Sequence, residues 1–317
     1  MKHLDFDPNL PETPVTQDDM EAGLRALGLR ESDSALVHTA LSSFGPVAGG
    51  PETLVKALLA IIGPRGNLLM PHFFPLYEGV FDYRNPPRTY AGVTARLFRE
   101  WPGAVMSVHP SHPVVVVGPQ AELLTEGHHL QSAVGKDSPI ERIARAGGKV
   151  LLLGVPQTVN TTLHTAEAVA EVPYWGQPRV DRPSQRETIM PDGRHIWIAL
   201  PETPGDSKGF PKIEPLLKEA GLITFGQIGR ARCRLMPGQG LIDTAVALLR
   251  RDPGGLLCDQ PDCYFCPWAR QFLPRTHSPA QPGEPAANAP TGATRQKGEL
   301  HETTGIDNRR CATGSAA

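Results

Sequence analysis

The sequence predicts an α/β fold: a three-layer core with a mixed, mostly parallel sheet, an antiparallel hairpin extension and a disordered C-terminal tail. Strand-like apolar runs alternate with amphipathic helix-like segments between residues 35 and 172, as in sheets covered by helices on both faces. The segment 186–200 has two strand-like runs around a central PDG turn, which predicts the hairpin. From Pro274 onward large apolar residues nearly disappear, which predicts the tail.

The elements of the core follow from their residue patterns in chain order. Short apolar runs are typical of strands, whereas longer runs with apolar residues three and four apart are typical of helices. The first helix, at 16–29, places Met20, Leu24 and Leu27 on one face. The same patterns predict strands at 35–41, 67–71, 104–109, 114–118, 149–155 and 223–235, and helices at 51–62, 90–101, 139–146, 161–172, 211–220 and 241–251.

Shifts in composition divide the chain into three parts. Residues 1–15 are a flexible, Pro- and Asp-rich arm, 16–273 are one folded domain and 274–317 are the tail. Within the domain, 185–240 form the antiparallel extension and 256–268 a cysteine-rich segment.

Composition also restricts the class of protein. The 317 residues are 40% hydrophobic and carry a formal net charge of −2, which is typical of a globular protein. Basic residues form no dense cluster, so we expect no nucleic-acid partner. No apolar run approaches ~20 residues and the N-terminus lacks a signal-peptide core, so we expect no membrane partner and a cytoplasmic location. A monomer and a homodimer both remain open.

A histidine and a carboxylate share one helix face directly after a buried strand. The run KVLLLGV at 149–155 predicts the strand, and Asn160 is a good N-cap for the helix that follows. His164 and Glu167 are three residues apart and therefore neighbours on that helix. A carboxylate beside an imidazole can hold one tautomer and stabilise the imidazolium, as a general base requires. The alternative is a pair of solvated side chains on the helix surface.

Two further segments place polar groups at strand ends. ALVHTAL at 35–41 predicts a strand, and the small residues SSFGPVAGG that follow it lead into a helix opened by Pro51. Free N–H groups in such a turn can hold phosphate oxygens, although a plain connection is the alternative. The motifs GxxxxGKS and GxGxxG are missing, which argues against nucleoside triphosphate chemistry. His109 and His112, in SVHPSHP, lie in a loop where open α/β sheets bind ligands or where histidines simply pack.

Four segments, in this order, resemble the antibiotic N-acetyltransferase family, best known for aminoglycoside 3-N-acetyltransferases. They are VHTALSSFGPVAGGPETLVKALLAIIGPRGNLLMP, SVHPSHPVVVVGPQA, GKDSPIERIARAGGKVLLLGV and NTTLHTAEAVAEVPY. The resemblance implies acetyl-coenzyme A as donor and an amine as acceptor, in the first place the 3-amino group of an aminoglycoside. It also implies that His164 is the general base, and Glu167 would orient it. We expect a ternary complex, because Cys233 lies in no recognisable nucleophile motif and His164 suits base work better than acyl storage.

The patterns and the resemblance together suggest residues for binding. The candidates for the donor are His38, Thr39, Ser42, Ser43, Phe44, Gly45, His109 and His112. The candidates for the acceptor are Asn160, Asp206 and Asp243. Two departures from the family matter: Pro113 stands where relatives often have serine, and PQTV at 156–159 lacks the acidic residue of many aminoglycoside-acetylating relatives. An acetyltransferase of a non-aminoglycoside amine is therefore the alternative.

Three cysteines within nine residues indicate a metal site. Cys258, Cys263 and Cys266 have a spacing that favours zinc over disulfides in a reducing compartment. The candidates for a fourth ligand are Asp206, Cys233 and His277. We expect the zinc to staple the chain after its last helix and to serve stability. The alternatives are three packed reduced thiols or, with less support, a redox CxxC pair.

Two other classes of protein compete with an acetyltransferase. A metallohydrolase would use the histidines, but HExxH and HxH motifs are absent. Its candidate ligands would be His38, His72, His109, His112 and His164. A zinc-stapled interaction module would explain the cysteines and the tail, but it would leave the four family segments unexplained.

Overall fold

Two sheets form the framework of the protein in the computed structural model, which describes residues 4–75, 79–201 and 204–274. Their strands within these ranges are β1 (Ser34–Thr39), β2 (Asn67–Pro71), β3 (Phe81–Asp82), β4 (Val105–Met106), β5 (Val114–Val117), β6 (Lys149–Leu153), β7 (Gln185–Ile189), β8 (His195–Ala199), β9 (Thr224–Ile228) and β10 (Ala231–Pro237). The helices in the same ranges are α1 (Gln17–Leu27), α2 (Pro51–Ile62), α3 (Gly92–Arg99), α4 (Ala121–Thr125), α5 (Pro139–Arg145), α6 (Thr162–Ala170), α7 (Glu214–Glu219), α8 (Gly238–Arg251) and α9 (Cys266–Ala269).

The larger sheet is mixed, as predicted. Its strand order is β4-β5-β2-β1-β6-β10-β9. β1 pairs in parallel with β2 and β6, whereas the β2–β5, β4–β5, β6–β10 and β9–β10 pairs are antiparallel. Only β5 and β10 therefore run against the other strands of this sheet. Most strands share one direction, and parallel pairing is confined to the three central strands.

Side chains that alternate along the central strands pack into two separate hydrophobic cores. In β1, Leu36 points into a core with α5, α6 and α8, whereas Ala35 and Val37 point into a core with α1, α2 and α3. This alternation is the period of two that a strand covered on both faces requires. The predicted three-layer arrangement is confirmed.

Capping residues explain where the first helix begins and ends. Thr16 accepts a hydrogen bond from the backbone N–H of Asp19, and the Asp19 carboxylate accepts one from the backbone N–H of Thr16, which completes a capping box. Gly28 ends α1 in the left-handed region, with φ of 114°. The predicted helix at 16–29 therefore includes both of its capping residues.

The predicted hairpin is confirmed, but the boundary of the extension is wrong. β7 and β8 pair in antiparallel fashion, and β3 joins them in parallel to form a three-stranded sheet. Residues 224–237 instead belong to the central sheet, because the predicted single strand at 223–235 is a second hairpin, β9–β10. Gly229, with φ of +52°, supplies the left-handed conformation of that turn.

The N-terminal arm is tied to the core from residue 4 onward, so its predicted flexibility is wrong for that part. The backbone N–H of Asp5 donates to the carbonyl of Gly154 at 2.9 Å, and the N–H of Arg232 donates to the carbonyl of Asp5 at 3.0 Å. The Asp5 carboxylate also pairs with Arg234 at 2.5 Å. Polar and proline-rich composition does not reveal such long-range backbone pairing.

Of the predicted tail at 274–317, residues 275–317, with the candidate ligand His277, lie outside the described residues. Within the described ranges, no helix combines the length and the apolarity that crossing a bilayer requires.

Candidate active site

A cavity of ≈ 870 Å³ lies at the carboxyl ends of the parallel strands β1, β2 and β6. This is where ligands of open α/β sheets bind. It is lined by seven of the site residues that the sequence predicts: His38, Thr39, Ser42, Gly45, His112, Asn160 and His164.

The predicted pair of His164 and Glu167 is in place. Nδ1 of His164 lies 2.6 Å from Oε2 of Glu167, and their side chains are 8% and 2% exposed. Burial on this scale excludes the alternative of two solvated surface groups. α6 begins one residue later than predicted, with Thr161 as its N-cap, although the Asn160 side chain still accepts a hydrogen bond from the N–H of Thr162 at 3.2 Å.

Tyr174, which is not among the predicted site residues, completes this group. The hydroxyl of Tyr174 donates a hydrogen bond to Oε1 of Glu167 at 2.8 Å. Burial and the neighbouring Glu167 carboxylate raise the pKa of Tyr174 above its usual range, so the hydroxyl keeps its proton. Both oxygens of Glu167 are therefore engaged, and the carboxylate is held in one orientation.

This arrangement determines the tautomer of His164. An ionised carboxylate accepts only, so Nδ1 of His164 must carry the hydrogen that faces Glu167. Nε2 is then the unprotonated, basic nitrogen, and the histidine lines the cavity. The edge of Phe210 packs against the imidazole, with ring centroids 4.7 Å apart. The side chain is thus positioned to accept a proton from a molecule in the cavity.

His38 also lines the cavity but in a different chemical state. Its Nε2 accepts hydrogen bonds from the backbone N–H of Thr161 at 3.4 Å and from the Thr161 hydroxyl at 3.1 Å. Burial lowers the pKa of His38 to about 3, so it is neutral. Its bonds connect the end of β1 to the start of α6.

The structure separates the two histidines of SVHPSHP. His112 lines the cavity, whereas His109 is buried and stacks on His128, with ring centroids 4.7 Å apart. Nδ1 of His109 accepts hydrogen bonds from the backbone N–H groups of Ser111 and His112. Donor contact by His109 is therefore an incorrect prediction, because the loop turns this side chain inward to satisfy its own amides.

The turn after β1 places some of its predicted residues at the cavity and buries others. Ser42 and Gly45 line the cavity, but Ser43 and Phe44 are fully buried, and the Ser43 hydroxyl donates to the carbonyl of Gly154 at 2.7 Å. The predicted donor contacts of Ser43 and Phe44 are wrong, because the short 3-10 helix Leu41–Phe44 directs them into the core. Gly50, the N-cap residue of α2, makes no side-chain capping hydrogen bond and lines the cavity instead.

The two predicted acidic contacts for the acceptor are wrong. Asp243 is exposed on α8, where it accepts a hydrogen bond from Gln239 at 2.8 Å. Asp206 is buried beside the cysteines rather than at the cavity. In the described ranges, the cavity lining holds no carboxylate, and Arg182 is its one Lys or Arg side chain.

The three cysteines of the C-terminal segment converge with Asp206. Their Sγ atoms and one Asp206 carboxylate oxygen all lie within 4.8 Å of one another, and all four residues are buried. Burial opposes ionisation of Cys263, but hydrogen bonds from the backbone of Cys266 and Phe265 and from the side chains of Cys258 and Cys266 together lower the pKa of this thiol, whereas burial raises the pKa of Cys258 and Cys266. Of the candidate fourth ligands within the described residues, Cys233 lies apart in β10, whereas Asp206 lies beside the three cysteines.

Some cavity residues give no sequence signal. Phe210, Arg182 and Ser207 reach the cavity from segments far from α6 in the chain. For Tyr174 a signal exists, since Pro173 follows soon after α6 and turns the chain near Glu167. The others depend on packing between distant segments.

A buried histidine–carboxylate pair at the mouth of an α/β sheet is typical of enzymes that use general-base chemistry. Known proteins identify the family. A sequence model of aminoglycoside 3-N-acetyltransferases matches residues 36–250. The aminoglycoside N(3)-acetyltransferase VII of Streptomyces paromomycinus is 32% identical over 76% of this chain and 96% of its own length. The chain therefore belongs to the aminoglycoside 3-N-acetyltransferase family.

Solved structures of relatives agree with this assignment. A histidine-to-alanine variant of aminoglycoside acetyltransferase AAC(3)-IVa, in complex with a gentamicin, superposes with a TM-score of 0.73 at 32% identity, over 82% of this chain and 98% of that one. AAC-IIIb, as a binary complex with coenzyme A, superposes with a TM-score of 0.64 at 29% identity, over 75% of this chain and 97% of that one.

Proposed function

We propose that this chain transfers an acetyl group from acetyl-coenzyme A to an aminoglycoside, at its 3-amino group, with His164 as the general base. The observation that carries the proposal is the hydrogen-bonded series Tyr174–Glu167–His164, which ends at the cavity. Membership of the family supports the donor and the acceptor.

The chemical step follows from this geometry. The acceptor amine attacks the thioester carbonyl and forms the new C–N bond, and Nε2 of His164 takes the proton that the nitrogen must lose. The Glu167 carboxylate stabilises the imidazolium across the Nδ1–H hydrogen bond. Collapse of the tetrahedral intermediate breaks the C–S bond, and coenzyme A leaves as a thiolate that takes up a proton.

Donor binding is assigned to the glycine-rich turn and the start of α2. Ser42, Gly45 and Gly50 line the cavity there, and α2 begins without a side-chain cap. A long helix N-terminus presents backbone N–H groups that suit phosphate oxygens. Gly50 leaves room for such a group, since a Cβ atom at this position would meet nothing within 4 Å.

The acceptor has one competing assignment, a non-aminoglycoside amine. The observation that favours it is the cavity lining, which contains no carboxylate in the described ranges. A polycation such as an aminoglycoside gains most from anionic partners, whereas a monoamine needs fewer.

The proposal includes a structural zinc ion on Cys258, Cys263 and Cys266. It places the reaction in the cytoplasm, where acetyl-coenzyme A and reduced thiols occur together, without a nucleic-acid or membrane partner.

The test is thiol release from acetyl-coenzyme A with purified full-length chain. Gentamicin, apramycin and sisomicin are compared with simple monoamines, and the acetylated nitrogen is located by NMR. Release with the aminoglycosides and a 3-N-acetyl product support the proposal. Release with monoamines alone would support the competing assignment, and no release with any amine would contradict both.

A further inference from the structure

Four buried side chains outside the cavity have the composition and spacing of a zinc site. They are Cys258, Cys263, Cys266 and Asp206, whose ligand atoms lie within 4.8 Å of one another. Thiolates bound to one tetrahedral zinc are about 3.8 Å apart, so a small closure of this group gives the required geometry. The four residues can therefore supply all four ligands of a tetrahedral zinc ion, three sulfur atoms and one oxygen atom.

The backbone around the cysteines is already folded as such a site requires. The N–H of Cys266 donates to Sγ of Cys263 at 3.4 Å, and the N–H of Cys258 donates to Sγ of Cys266 at 3.2 Å. N–H groups directed at sulfur stabilise thiolates, the form that binds metal. Arg270 holds the Cys258 carbonyl at 2.7 Å, which restrains the loop.

The segment that contains Asp206 faces the cavity on one side and the cysteines on the other. The neighbouring residues Pro204, Gly205, Ser207 and Phe210 line the cavity, whereas the Asp206 side chain points away to the cysteines. The Ser207 hydroxyl donates to the carbonyl of Thr158 at 2.5 Å, and thereby joins this segment to the loop before α6. A ligand bond to Asp206 would thus act on the wall of the cavity.

Glycines allow this wall to pack directly on the cysteine segment. A Cβ atom at Gly205 would lie 2.2 Å from the ring of Phe265, and one at Gly209 would lie 2.2 Å from the carbonyl oxygen of Leu256. Contacts this close leave no space for a side chain, so the two segments form one packed unit. Phe265 also packs edge-on against Tyr174, the residue that holds Glu167, with ring centroids 5.9 Å apart.

We propose that Asp206, Cys258, Cys263 and Cys266 hold one zinc ion that fixes the cavity wall at 204–210, and that this zinc positions the site as well as stabilising the fold. The positioning part of this inference depends on the proposed acetyltransferase function, whereas the metal part does not. Phe210, which packs on His164, is the residue through which a loosened wall would reach the base.

The metal is tested first, without any substrate. Elemental analysis of the full-length chain, purified without chelators, should give one zinc per chain. Asp206→Ala and Cys263→Ser should each lose most of it, while Asp206→Cys, which supplies a fourth thiolate, should retain it. The matched control is Cys233→Ala, which removes a buried cysteine of β10 and should keep the zinc. A wild-type chain without stoichiometric zinc would overturn the site, and an Asp206→Ala variant with full zinc and unchanged zinc affinity would remove Asp206 from it.

Positioning is tested on the folded fraction of each variant, counted by coenzyme A binding and assayed well below its unfolding temperature. Because the wall contacts Phe210, Asp206→Ala should lower kcat/KM for the acceptor by about tenfold or more, and Asp206→Cys should restore it. A purely stabilising metal would lower the unfolding temperature but leave kcat/KM of the folded fraction at the wild-type value, which would overturn the positioning role. A wild-type chain that binds zinc but acetylates no amine would instead contradict the proposed function and leave the metal site standing.

Discussion

Tyr174 donates a hydrogen bond of 2.8 Å to the carboxylate oxygen of Glu167 that does not face His164. Glu167 lies within α6, whereas Tyr174 follows the end of this helix in the chain. The tyrosine therefore restrains the carboxylate from outside the helix. A buried carboxylate with both oxygens engaged is costly to move or to leave with an unmet acceptor. The orientation of His164, the proposed base, therefore depends on a residue that does not line the cavity.

Tyr174→Phe removes this hydrogen bond and little else. We expect the free energy of unfolding to fall by about 1–3 kcal/mol, because a buried charged acceptor loses a donor. We also expect kcat to fall, since Glu167 can then rotate away from His164. Urea unfolding and steady-state kinetics measure the two effects.

Tyr83→Phe is the matched control for this change. Tyr83 also donates a hydrogen bond from a partly buried position, to the carbonyl of Met106, but it does not line the cavity or contact the pair. This variant should lose stability while it keeps kcat. An equal effect of both substitutions on kcat would show that Tyr174 has no positioning role.

His164→Ala removes the proposed base. We expect kcat to fall by about two to four orders of magnitude, the usual range for a positioned general base, and coenzyme A affinity to change little. His195→Ala is the control, because His195 also forms a histidine–glutamate pair, at 2.8 Å from Glu187, but on the surface. A His164→Ala variant with more than half of wild-type turnover at saturating substrates is incompatible with the assignment.

Glu167→Gln should impair turnover less than His164→Ala. An amide can still hold one tautomer of the histidine, but it cannot stabilise the imidazolium that forms during the reaction. The acid limb of the pH–rate profile should consequently move to lower pH. If the rate and the profile both match the wild type, Glu167 does not serve the base.

Buried histidines should make the fold sensitive to acid. Burial lowers the pKa of His38 and His112 to about 3, that of His72 and His128 to about 4, and that of His109 well below its usual range. In the unfolded chain these groups have pKa values of about 6.5, so between that pH and about 4 the unfolded state binds more protons. Stability that is complete above pH 6.5 is therefore lost as the pH falls, by up to about 1.4 kcal/mol per pH unit for each histidine.

Urea unfolding at pH 7.5, 6.5 and 5.5 measures this loss. The midpoint should fall between the first two values and fall considerably further between the last two. His128→Gln should reduce the slope of stability against pH, because one proton-binding group leaves the unfolded state. Equal midpoints at pH 5.5 and pH 7.5 would contradict the neutral state of these histidines.

Local patterns were enough to predict much of the fold and the reactive pair. The helix after β6 places His164 and Glu167 on one face through its own period, because residues three apart meet whatever the rest of the chain does. The short apolar run along β1 predicts a buried strand in the same way, because both of its faces carry apolar side chains. CxxC brings two sulfurs together within one turn of chain, so the cysteine cluster was also visible.

Contacts between distant segments were not visible, because they depend on how whole elements pack. Asp206 reaches Cys266 across 60 residues of sequence, and nothing in its neighbours distinguishes it from the exposed Asp243. Ser43 and Ser42 are adjacent and chemically identical, yet the 3-10 turn buries one and exposes the other. Local propensity acts over a few residues and specifies which elements form. Tertiary packing alone decides which side chains are buried, that Tyr174 is the second partner of Glu167, and that Asp206 is the fourth member of the cysteine cluster.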